Sequence, residues 1–341
     1  MIEVQNVTKR YGPFKAVDDV SFRVDSGQIL GFLGPNGAGK TTTMRILTGC
    51  IPPTDGKALV AGYDVFEQPV EAKRRTGYLP ETPPLYPDMT VREYLTFASK
   101  ISGVRATDRA SRIATAMERT NITDVADRHC GRLSKGYRQR VGLSQAILHN
   151  PDVLILDEPT AGLDPKQIIE TRQLIRDLAG DHTIILSTHI LPEVSQTCEQ
   201  VVIINKGRVV AVDTPNNLTE RLGGSETIRL EVDTAGSDAM PVLAEVAGVT
   251  QVSLKTELVG SRVFDIQTAI GSDVRRDVAN AVVTSGWGLL ELRPLKMSLE
   301  DIFLELTTVD EANADADTHR DEGEAPAPET PATSSTDGGP V

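Results

Sequence analysis

Short apolar runs bounded by turn residues alternate along much of the chain with segments of helical spacing. Residues 2–33 predict β-strands in the stretches IEVQNVTKRYG, AVDDVSFRV and QILGFLG, and TTTMRILTG then changes to a helical pattern after a tight turn. Further apolar runs predict more strands, in KALVAG, RTGYLPE, DVLILDEP, HTIILSTH and QVVIINKGRVVA. Because such alternation is typical of a parallel sheet with helices on its faces, the sequence predicts an α/β fold.

Two later regions have other patterns. From Pro83 to about Asn150 the apolar spacing is mainly helical, as in VREYLTFASKISG and SRIATAMERT, and it predicts an inserted helical lobe. After Gly223 and Gly224 the predicted elements, from TIRLEV to LLELRPL, follow the order β-α-β-β-α-β of a small α+β ferredoxin-like domain. From Asp310 onward large apolar side chains are almost absent, so we expect a disordered acidic Pro/Ala-rich tail.

These patterns divide the 341 residues into three predicted parts, 1–224, 225–308 and 309–341. The apolar fraction of 39% and the charged fraction of 24% are those of an ordinary globular protein. No stretch approaches the roughly 18 consecutive apolar residues of a membrane-spanning helix. The first residues also lack the pattern of a secretory signal, so the sequence predicts a protein of the cytoplasm.

The charge distribution and the cysteine spacing argue against several kinds of partner and site. The net charge is −13, but residues 310–341 hold nine Asp or Glu and one Arg, so −8 belongs to this tail and −5 to the rest. This mild acidity argues against a nucleic-acid partner. Cys50, Cys130 and Cys198 are odd in number, far apart and without CxxC spacing, so neither a disulfide framework nor a zinc site is indicated. We expect all three to be small buried thiols.

GPNGAGKTT, at residues 34–42, follows a predicted strand and precedes a predicted helix, as a phosphate-binding loop must. The glycines let backbone N–H groups surround phosphate oxygens, the helix N-terminus adds partial positive charge, and Lys40 supplies a full charge. The Thr41 hydroxyl suits Mg²⁺. The alternative is a chance Gly-rich turn, which the flanking strand and helix disfavour. The predicted phosphate-binding residues are Gly34, Pro35, Asn36, Gly37, Ala38, Gly39, Lys40, Thr41 and Thr42.

A second candidate site begins 117 residues after Lys40, where the strand VLILD ends in Asp157 and Glu158 follows. A carboxylate at a strand end can hold Mg²⁺, and its neighbour can polarise an attacking water; an acidic turn cap is the alternative. His189 ends another apolar run, at the edge where α/β sheets bind ligands. A lone histidine is structural as often as it is functional. His189 is therefore a strong candidate only together with the other motifs.

The combination resembles a known family. The order GPNGAGKTT, LSKGYRQR, ILDEPTAGLDP and STHIL, with Tyr11 upstream, is similar over about residues 1–222 to the nucleotide-binding subunits of ABC transporters. GYLPE, LSKGYRQR and the C-terminal MSLEDIFLEL most resemble the exporter (ABC-2-like) branch of gliding-motility, multidrug and copper/nitrous-oxide-related ATPases. The resemblance implies a P-loop NTPase of ABC type, with a RecA-like core sheet and an N-terminal antiparallel β part. It also implies ATP and Mg²⁺ as cofactors.

The resemblance assigns a role to each matching residue. Tyr11 would stack on adenine, although a place in the core of a hairpin is its alternative. Asp157 would be the metal-binding carboxylate and Glu158 the general base. His189 would be the switch histidine at the γ-phosphate, and Asp164 would belong to the D-loop that bridges two subunits.

Two motifs depart from the family pattern. Glu81 stands where most relatives carry the Q-loop glutamine; its carboxylate is a possible Mg²⁺ ligand, and a solvated acid is the alternative. The signature LSGGQ is here LSKGY, with Lys135 and Tyr137 replacing a glycine and the glutamine. Ser134 remains as the predicted helix N-cap and Gly136 as a position of close backbone approach, so both are expected to face nucleotide. Lys135, between them, is a further candidate nucleotide-binding residue.

In this family the signature helix of one subunit closes over nucleotide held by the other. One chain holds one phosphate loop and one signature helix, so the resemblance implies a head-to-tail dimer, with itself or with a paralogous ATPase. It further implies a peripheral ATPase on the cytoplasmic face of the membrane, driving export through a separate multi-span permease. The alternative is a soluble ABC-type ATPase not coupled to transport, but such proteins in translation usually carry two ATPase halves, and in DNA repair a long coiled coil.

The segment PPLYPDMTVREYL, at residues 83–95, carries Tyr86 and Met89 and is a candidate contact for the permease. Tyr and Met are common at interfaces, but packing within the chain is equally compatible with them. The ferredoxin-like part is either a structural or dimer-stabilising appendage or a regulatory module, since fold alone does not imply function.

Overall fold

The computed structural model describes residues 1–222, 227–233, 238–258, 260–269 and 272–295. Strands β1 to β10 are Ile2–Tyr11, Phe14–Val24, Ile29–Leu33, Asp55–Val60, Tyr63–Asp64, Thr76–Leu79, Val153–Asp157, Thr183–Thr188, Gln200–Asn205 and Arg208–Asp213. Helices α1 to α8 are Lys40–Leu47, Pro69–Arg74, Val91–Ile101, Arg109–Arg119, Lys135–Ile147, Pro165–Ala179, Leu191–Thr197 and Pro215–Leu222. The later elements are β11 (Thr227–Asp233), α9 (Met240–Ala244), β12 (Val249–Leu258), β13 (Ser261–Thr268), α10 (Arg275–Thr284) and β14 (Gly288–Leu295).

A six-stranded sheet in the order β10-β9-β3-β8-β7-β6 forms the centre of the first part. Its strands are parallel except for the edge strand β10. Every residue of β3, β7 and β8 is buried, as expected where helices cover both faces of a parallel sheet. The predicted α/β fold is therefore confirmed.

The apolar run QVVIINKGRVVA is two strands and not one. Lys206 and Gly207 both have positive φ, 46° and 81°, and they turn the chain so that β10 pairs antiparallel with β9. A two-residue turn of this kind matches the twist of a hairpin. The turn explains why a continuous apolar pattern ends in an antiparallel edge strand.

A four-stranded antiparallel sheet, in the order β2-β1-β4-β5, packs against the central sheet. The rings of Phe22 and Phe32, one from each sheet, lie 5.4 Å apart between centroids. Met44 and Leu47 of α1 belong to the same apolar cluster. Burial of this shared core fixes the antiparallel sheet beside the strand that precedes the glycine-rich loop.

Helices α3, α4 and α5 lie between β6 and β7 along the chain, where the sequence predicts a helical region. Thr90 and Glu93 form a capping box at the start of α3, since each side chain bonds the other residue's backbone N–H. Ser134 is the N-cap of α5, as predicted, and its hydroxyl accepts a hydrogen bond from the Tyr137 backbone N–H. The short helix α2 has no counterpart among the predicted elements.

The second part follows the predicted order β-α-β-β-α-β, and its strands lie in the order β12-β13-β11-β14 with every neighbouring pair antiparallel. Leu230, Phe264 and Val278 are buried in its core. Its assignment to the ferredoxin-like folds stays a prediction. The boundary at residues 223–224, the segment MSLEDIFLEL and the acidic tail at 309–341 lie outside the described residues.

The expectation of three buried thiols is wrong for Cys50, which is exposed, whereas Cys130 and Cys198 are buried. Cys50 lies in the turn after α1, where Gly49, with a φ of 64°, reverses the chain at the surface. Within the described ranges, no helix is both long enough and apolar enough to cross a membrane.

Candidate nucleotide-binding and catalytic site

The four neighbouring parallel strands β3, β8, β7 and β6 end at one edge of the central sheet. The segments that follow them carry the glycine-rich loop, His189, the Asp157–Glu158 pair and Glu81, in that order across the sheet. Ligands of open α/β sheets bind at the carboxyl ends of the strands. The fold therefore brings together residues from four separate sequence motifs.

The loop before α1 has the tight backbone that its glycines predict. Gly37 has a φ of 82°, and Gly39, the N-cap of α1, has a φ of 106°, a region that favours glycine. A Cβ on Gly39 would lie 2.5 Å from the backbone oxygen of Ala16, so no other residue fits without movement. The loop leads directly into the N-terminus of α1, where backbone N–H groups and partial positive charge favour an anion.

Lys40, the first residue of α1, is only 5% exposed and points back along the loop. Its Nζ donates to the backbone oxygens of Gly34 at 2.8 Å and Pro35 at 3.2 Å. The same Nζ lies 3.3 Å from Glu158 Oε1. A buried ammonium is thus held by the loop and by the carboxylate of the second motif, within reach of a phosphate bound by the loop.

Asp157 ends β7 and is 1% exposed. Its Oδ1 accepts a hydrogen bond from Ser187 Oγ at 2.5 Å and lies 3.5 Å from Thr41 Oγ1. Burial raises the pKa of the Asp157 carboxyl above its ordinary value, and hydrogen bonds from Ser187 and Thr41 oppose that rise. Two hard oxygen donors from different motifs therefore meet at one point, which fits Mg²⁺ because this ion takes few protein ligands alongside phosphate.

Glu158 has a φ of 48°, which is uncommon for a residue with a side chain. Its backbone N–H bonds to both Ser187 O at 3.1 Å and Ser187 Oγ at 3.0 Å. Its Oε2 accepts from Nδ1 of His189 at 2.7 Å. The two predicted catalytic residues are therefore in direct contact, and Ser187, which sequence reasoning missed, holds the backbone of Glu158.

Lys40, Thr41, Glu158 and His189 border a cavity of about 460 Å³. It is lined by Tyr11, Phe14, Ala16, Asn36, Gly37, Gly39, Lys40, Thr41, Thr42, Glu81, Glu158, Ala161 and His189. Tyr11 is 49% exposed, so its alternative as a hairpin core residue is wrong. Lys9 Nζ lies 5.3 Å from the centre of the Tyr11 ring, and the exposed Phe14 pairs with Tyr11 across the hairpin. Phe14 was not predicted, although its place at the turn YGPF was a usable signal.

Glu81, the departure from the glutamine of most relatives, is exposed on the rim of this cavity. Its backbone oxygen accepts from Nε2 of Gln139, a buried residue of α5, at 2.9 Å. Its charge is among the causes that raise the pKa of the Asp157 carboxyl. Glu81 therefore lies in the electrostatic neighbourhood of the proposed metal ligands, and α5 anchors its backbone.

Of the predicted residues, Gly34, Pro35, Ala38 and Asp157 belong to the motifs at this cavity without lining it. Ser134, Lys135, Gly136 and Asp164 also do not line it. They lie together at the N-termini of α5 and α6. Asp164 caps α6, and a Cβ on Gly136 would lie 2.7 Å from the Gln167 side-chain oxygen in the same helix. Lys135 Nζ would lie 2.5 Å from a Cβ on Gly162. The structure thus separates the predicted residues into two surfaces.

The remaining basic residues of α5 make local contacts. Arg138 donates to the backbone oxygen of Leu133 at 2.8 Å, and Arg140 pairs with Glu170 of α6. Tyr137, which replaces the signature glutamine, donates its hydroxyl to Asp124 at 2.8 Å. These contacts hold the helix in place and do not involve the side chains of Ser134 or Lys135.

Comparison with known proteins decides the family. Residues 17–161 match the family model described as ABC transporter. The linearmycin resistance ATP-binding protein LnrL of Bacillus subtilis (strain 168) is 32% identical over 311 residues, covering 90% of this chain and 98% of that protein. The chain belongs to the ATP-binding subunits of ABC transporters.

Two further likenesses agree with this membership. The Nod factor export ATP-binding protein I of Burkholderia thailandensis is 35% identical over 308 residues, 90% of this chain and 96% of that protein. A solved ATP-binding subunit of an ABC transporter is 31% identical, with a TM-score of 0.60, over 65% of this chain and 93% of that chain. The ABC subunit therefore binds and hydrolyses ATP to drive transport through a membrane permease partner. The alternative of an ATPase uncoupled from transport is not supported.

Proposed function

We propose that ATP is hydrolysed in the cavity bordered by Lys40, Glu158 and His189, with Glu158 as the general base. The observation that carries this proposal is the position of the Glu158 carboxylate, 2.7 Å from His189 Nδ1 and 3.3 Å from Lys40 Nζ. A base must lie within hydrogen-bond reach of the proton it takes, and a carboxylate beside the phosphate loop satisfies this for an attacking water. His189 orients this carboxylate and, from the same position, contacts the γ-phosphate.

The phosphates are bound by residues 34–42, with Lys40 neutralising charge on the β- and γ-phosphates. Thr41 and Asp157 would hold Mg²⁺, and Glu81 would join them from the rim. When bound, this ion offsets the charge of the phosphate oxygens. Tyr11 offers adenine a stacking surface, and Phe14 adds a second aromatic ring beside it.

The partner subunit would supply the second surface. Ser134, Lys135, Gly136 and Asp164 lie apart from the cavity of their own chain, so one chain presents both halves of a site without completing either. A head-to-tail dimer joins the two, and we propose a homodimer, with a paralogous ATPase as the competing partner. Ser134 and Gly136 would then face the γ-phosphate from a helix N-terminus.

We further propose that the protein drives export and binds its permease peripherally at the cytoplasmic face. The names of its relatives support export, since one carries the word export and another the word resistance. Tyr86 is half-exposed and packs edge-on against Phe97 at 5.4 Å between ring centres, so part of its ring is held and part is available to a partner. The proposed domains remain 1–224, 225–308 and 309–341.

The test of the base is Glu158→Gln in the full chain, which keeps the size of the side chain and removes its basicity. We expect kcat to fall about 10²- to 10⁴-fold, the range for loss of a general base, with ATP still bound. Light scattering should then show a dimer in ATP. Glu199→Gln, which removes the same charge from an exposed position, should leave both quantities unchanged.

Wild-type turnover by Glu158→Gln would overturn the role of the base. A monomer of this variant in saturating ATP would overturn the head-to-tail dimer. Copurification with a second, different ATPase would replace the homodimer by a heterodimer.

A further inference from the structure

Glu193, on the short helix α7, is a carboxylate buried to 1% exposure close behind the proposed catalytic residues. It lies outside the cavity lining among the described residues and belongs to no motif that the sequence analysis singled out. Buried carboxylates are costly unless each oxygen finds a partner. The partners of Glu193 therefore indicate why the chain keeps a charge there.

Both oxygens of Glu193 accept hydrogen bonds from buried threonines. Thr160 Oγ1 donates to Oε1 at 2.5 Å, and Thr188 Oγ1 donates to Oε2 at 2.7 Å. Arg172 of α6 adds a cation, with Nη2 3.8 Å from Oε1. The carboxylate thus joins α7 to the segment after Glu158, to α6 and to the end of β8.

Two of these segments carry the proposed catalytic residues. Thr160 follows Glu158 by two residues, and Thr188 directly precedes His189. Thr188 Oγ1 also accepts from the Ile190 backbone N–H at 3.0 Å, so this hydroxyl holds the turn on both sides of His189. A change at Glu193 would therefore alter the positions of both Glu158 and His189, the two partners of one hydrogen bond.

We propose that Glu193 is a positioning residue for ATP hydrolysis, whose carboxylate holds the Glu158 loop and the His189 loop in register through Thr160 and Thr188. The inference rests on the proposed roles of Glu158 and His189. Glu193 does not touch nucleotide. It acts through those two residues, since misplacement of a reacting group by a fraction of its hydrogen-bond length slows chemistry more than binding.

The first experiment is Glu193→Gln in the full-length protein. The amide keeps the shape of the side chain, but its NH₂ group cannot accept the hydrogen bond that a threonine hydroxyl donates to the carboxylate oxygen it replaces. We expect kcat to fall about tenfold while the dissociation constant for ATP changes by less than about twofold, the pattern of an interaction that matters only to the reaction. Glu199→Gln is the matched control, because it removes the same charge from an exposed residue two positions after the end of α7.

A second pair of variants separates the hydroxyl from the packing. Thr188→Val keeps the shape of the side chain and removes the donor, whereas Thr188→Ser keeps the donor. We expect Thr188→Val to lower kcat as Glu193→Gln does and Thr188→Ser to remain near wild type. Thermal unfolding of each variant identifies any that fails to fold. The serine variant then tests the hydroxyl, because it keeps the donor and should keep kcat near wild type.

The decisive measurement is a double-mutant cycle with His189→Ala. If Glu193 acts through the catalytic pair, Glu193→Gln should lower kcat by only about threefold or less when His189 is already absent, because coupled residues are not additive. Multiplicative effects, or wild-type kcat in Glu193→Gln, would overturn the inference. If instead Glu158→Gln and His189→Ala themselves leave turnover unchanged, the proposed function fails and not the role of Glu193 alone.

Discussion

Replacing single glycines of the phosphate loop by alanine separates backbone strain from steric overlap. Gly37 has a φ of 82° and open space where a Cβ would lie, so Gly37→Ala adds strain alone. Gly34 has no positive φ, but its Cβ would lie 2.4 Å from the backbone oxygen of Ile204, so Gly34→Ala adds overlap alone. Gly39 combines a φ of 106° with a Cβ 2.5 Å from the Ala16 oxygen. The three variants therefore form an internally controlled series.

The expected costs follow from the two physical effects. An alanine in the left-handed region costs about 1–2 kcal/mol. Overlap with backbone in a packed site costs about 1–3 kcal/mol, since the neighbour is not the flexible end of a side chain. Gly39→Ala should therefore lower the free energy of unfolding by about 2–5 kcal/mol, more than either other variant. ATP binding should weaken most in Gly39→Ala because the loop must move to relieve the contact.

Urea unfolding gives the stability of each variant from the shift of its midpoint at constant slope. Titration with a fluorescent ATP analogue gives the affinity, with each 1.4 kcal/mol of lost binding appearing as about a tenfold rise in the dissociation constant. The prediction is that Gly39→Ala is the most damaging of the three in both assays. It is refuted if Gly39→Ala is no more damaging than Gly37→Ala, because the Ala16 contact would then carry no cost.

Two further predictions concern reactivity and pH. With one exposed thiol at Cys50 and the other two cysteines buried, a maleimide should label the native full chain once and the urea-unfolded chain three times; faster labelling of a second thiol in the native state would contradict the burial. Burial lowers the pKa of both His149 and His182 below the ordinary value of 6.5, so the unfolded chain binds more protons below that pH. Each should therefore reduce the free energy of unfolding by up to about 1.4 kcal/mol per pH unit as pH falls below 6.5, with no effect above it. Thermal unfolding between pH 7.5 and 5.5 should show this slope, and a variant with both histidines changed to Gln should show a shallower one.

Much of the fold could be predicted from the sequence because its signals are local. Four strands of the central sheet read as apolar runs, and the chemistry-bearing residues follow them directly, so their meeting at one sheet edge was expected. The turn at Lys206 and Gly207 was missed because hydrophobic pattern alone does not distinguish one long strand from a hairpin. The exposure of Cys50 could not be predicted, because it depends on where α1 ends, which a lone cysteine does not indicate.

The supporting contacts of the site could not be predicted, since they join residues distant in sequence. Ser187 lies 30 residues from Asp157, and Glu193 lies 33 residues from Thr160. Serine, threonine and glutamate are common on protein surfaces, so their type carries no signal until the fold places them together. Phe14 is different, because its place beside Tyr11 at the turn YGPF is visible in the sequence.

The local backbone at Glu158 explains how two adjacent carboxylates serve one site. Side chains of consecutive strand residues point to opposite faces, so an extended continuation of β7 would direct Asp157 and Glu158 apart. The positive φ of Glu158 turns the chain at that residue, and Asp157 then lies beside Thr41 while Glu158 reaches Lys40 and His189. Such a conformation costs about 1–3 kcal/mol and persists only where its surroundings hold it.

Ser187 supplies that support. Its backbone and side-chain oxygens both accept from the Glu158 backbone N–H, and its hydroxyl donates to Asp157. One serine on the neighbouring strand therefore fixes the strained residue and the proposed metal ligand together. Ser187→Ala removes the hydroxyl from both contacts and leaves only the hydrogen bond from Glu158 N–H to the backbone oxygen of residue 187. Both Glu158 and Asp157 should then be held less firmly in position. The strained residue Glu158 is thus held by β8, the strand that ends at Thr188 and directly precedes His189. The edge of the sheet, more than any single motif, positions the catalytic residues.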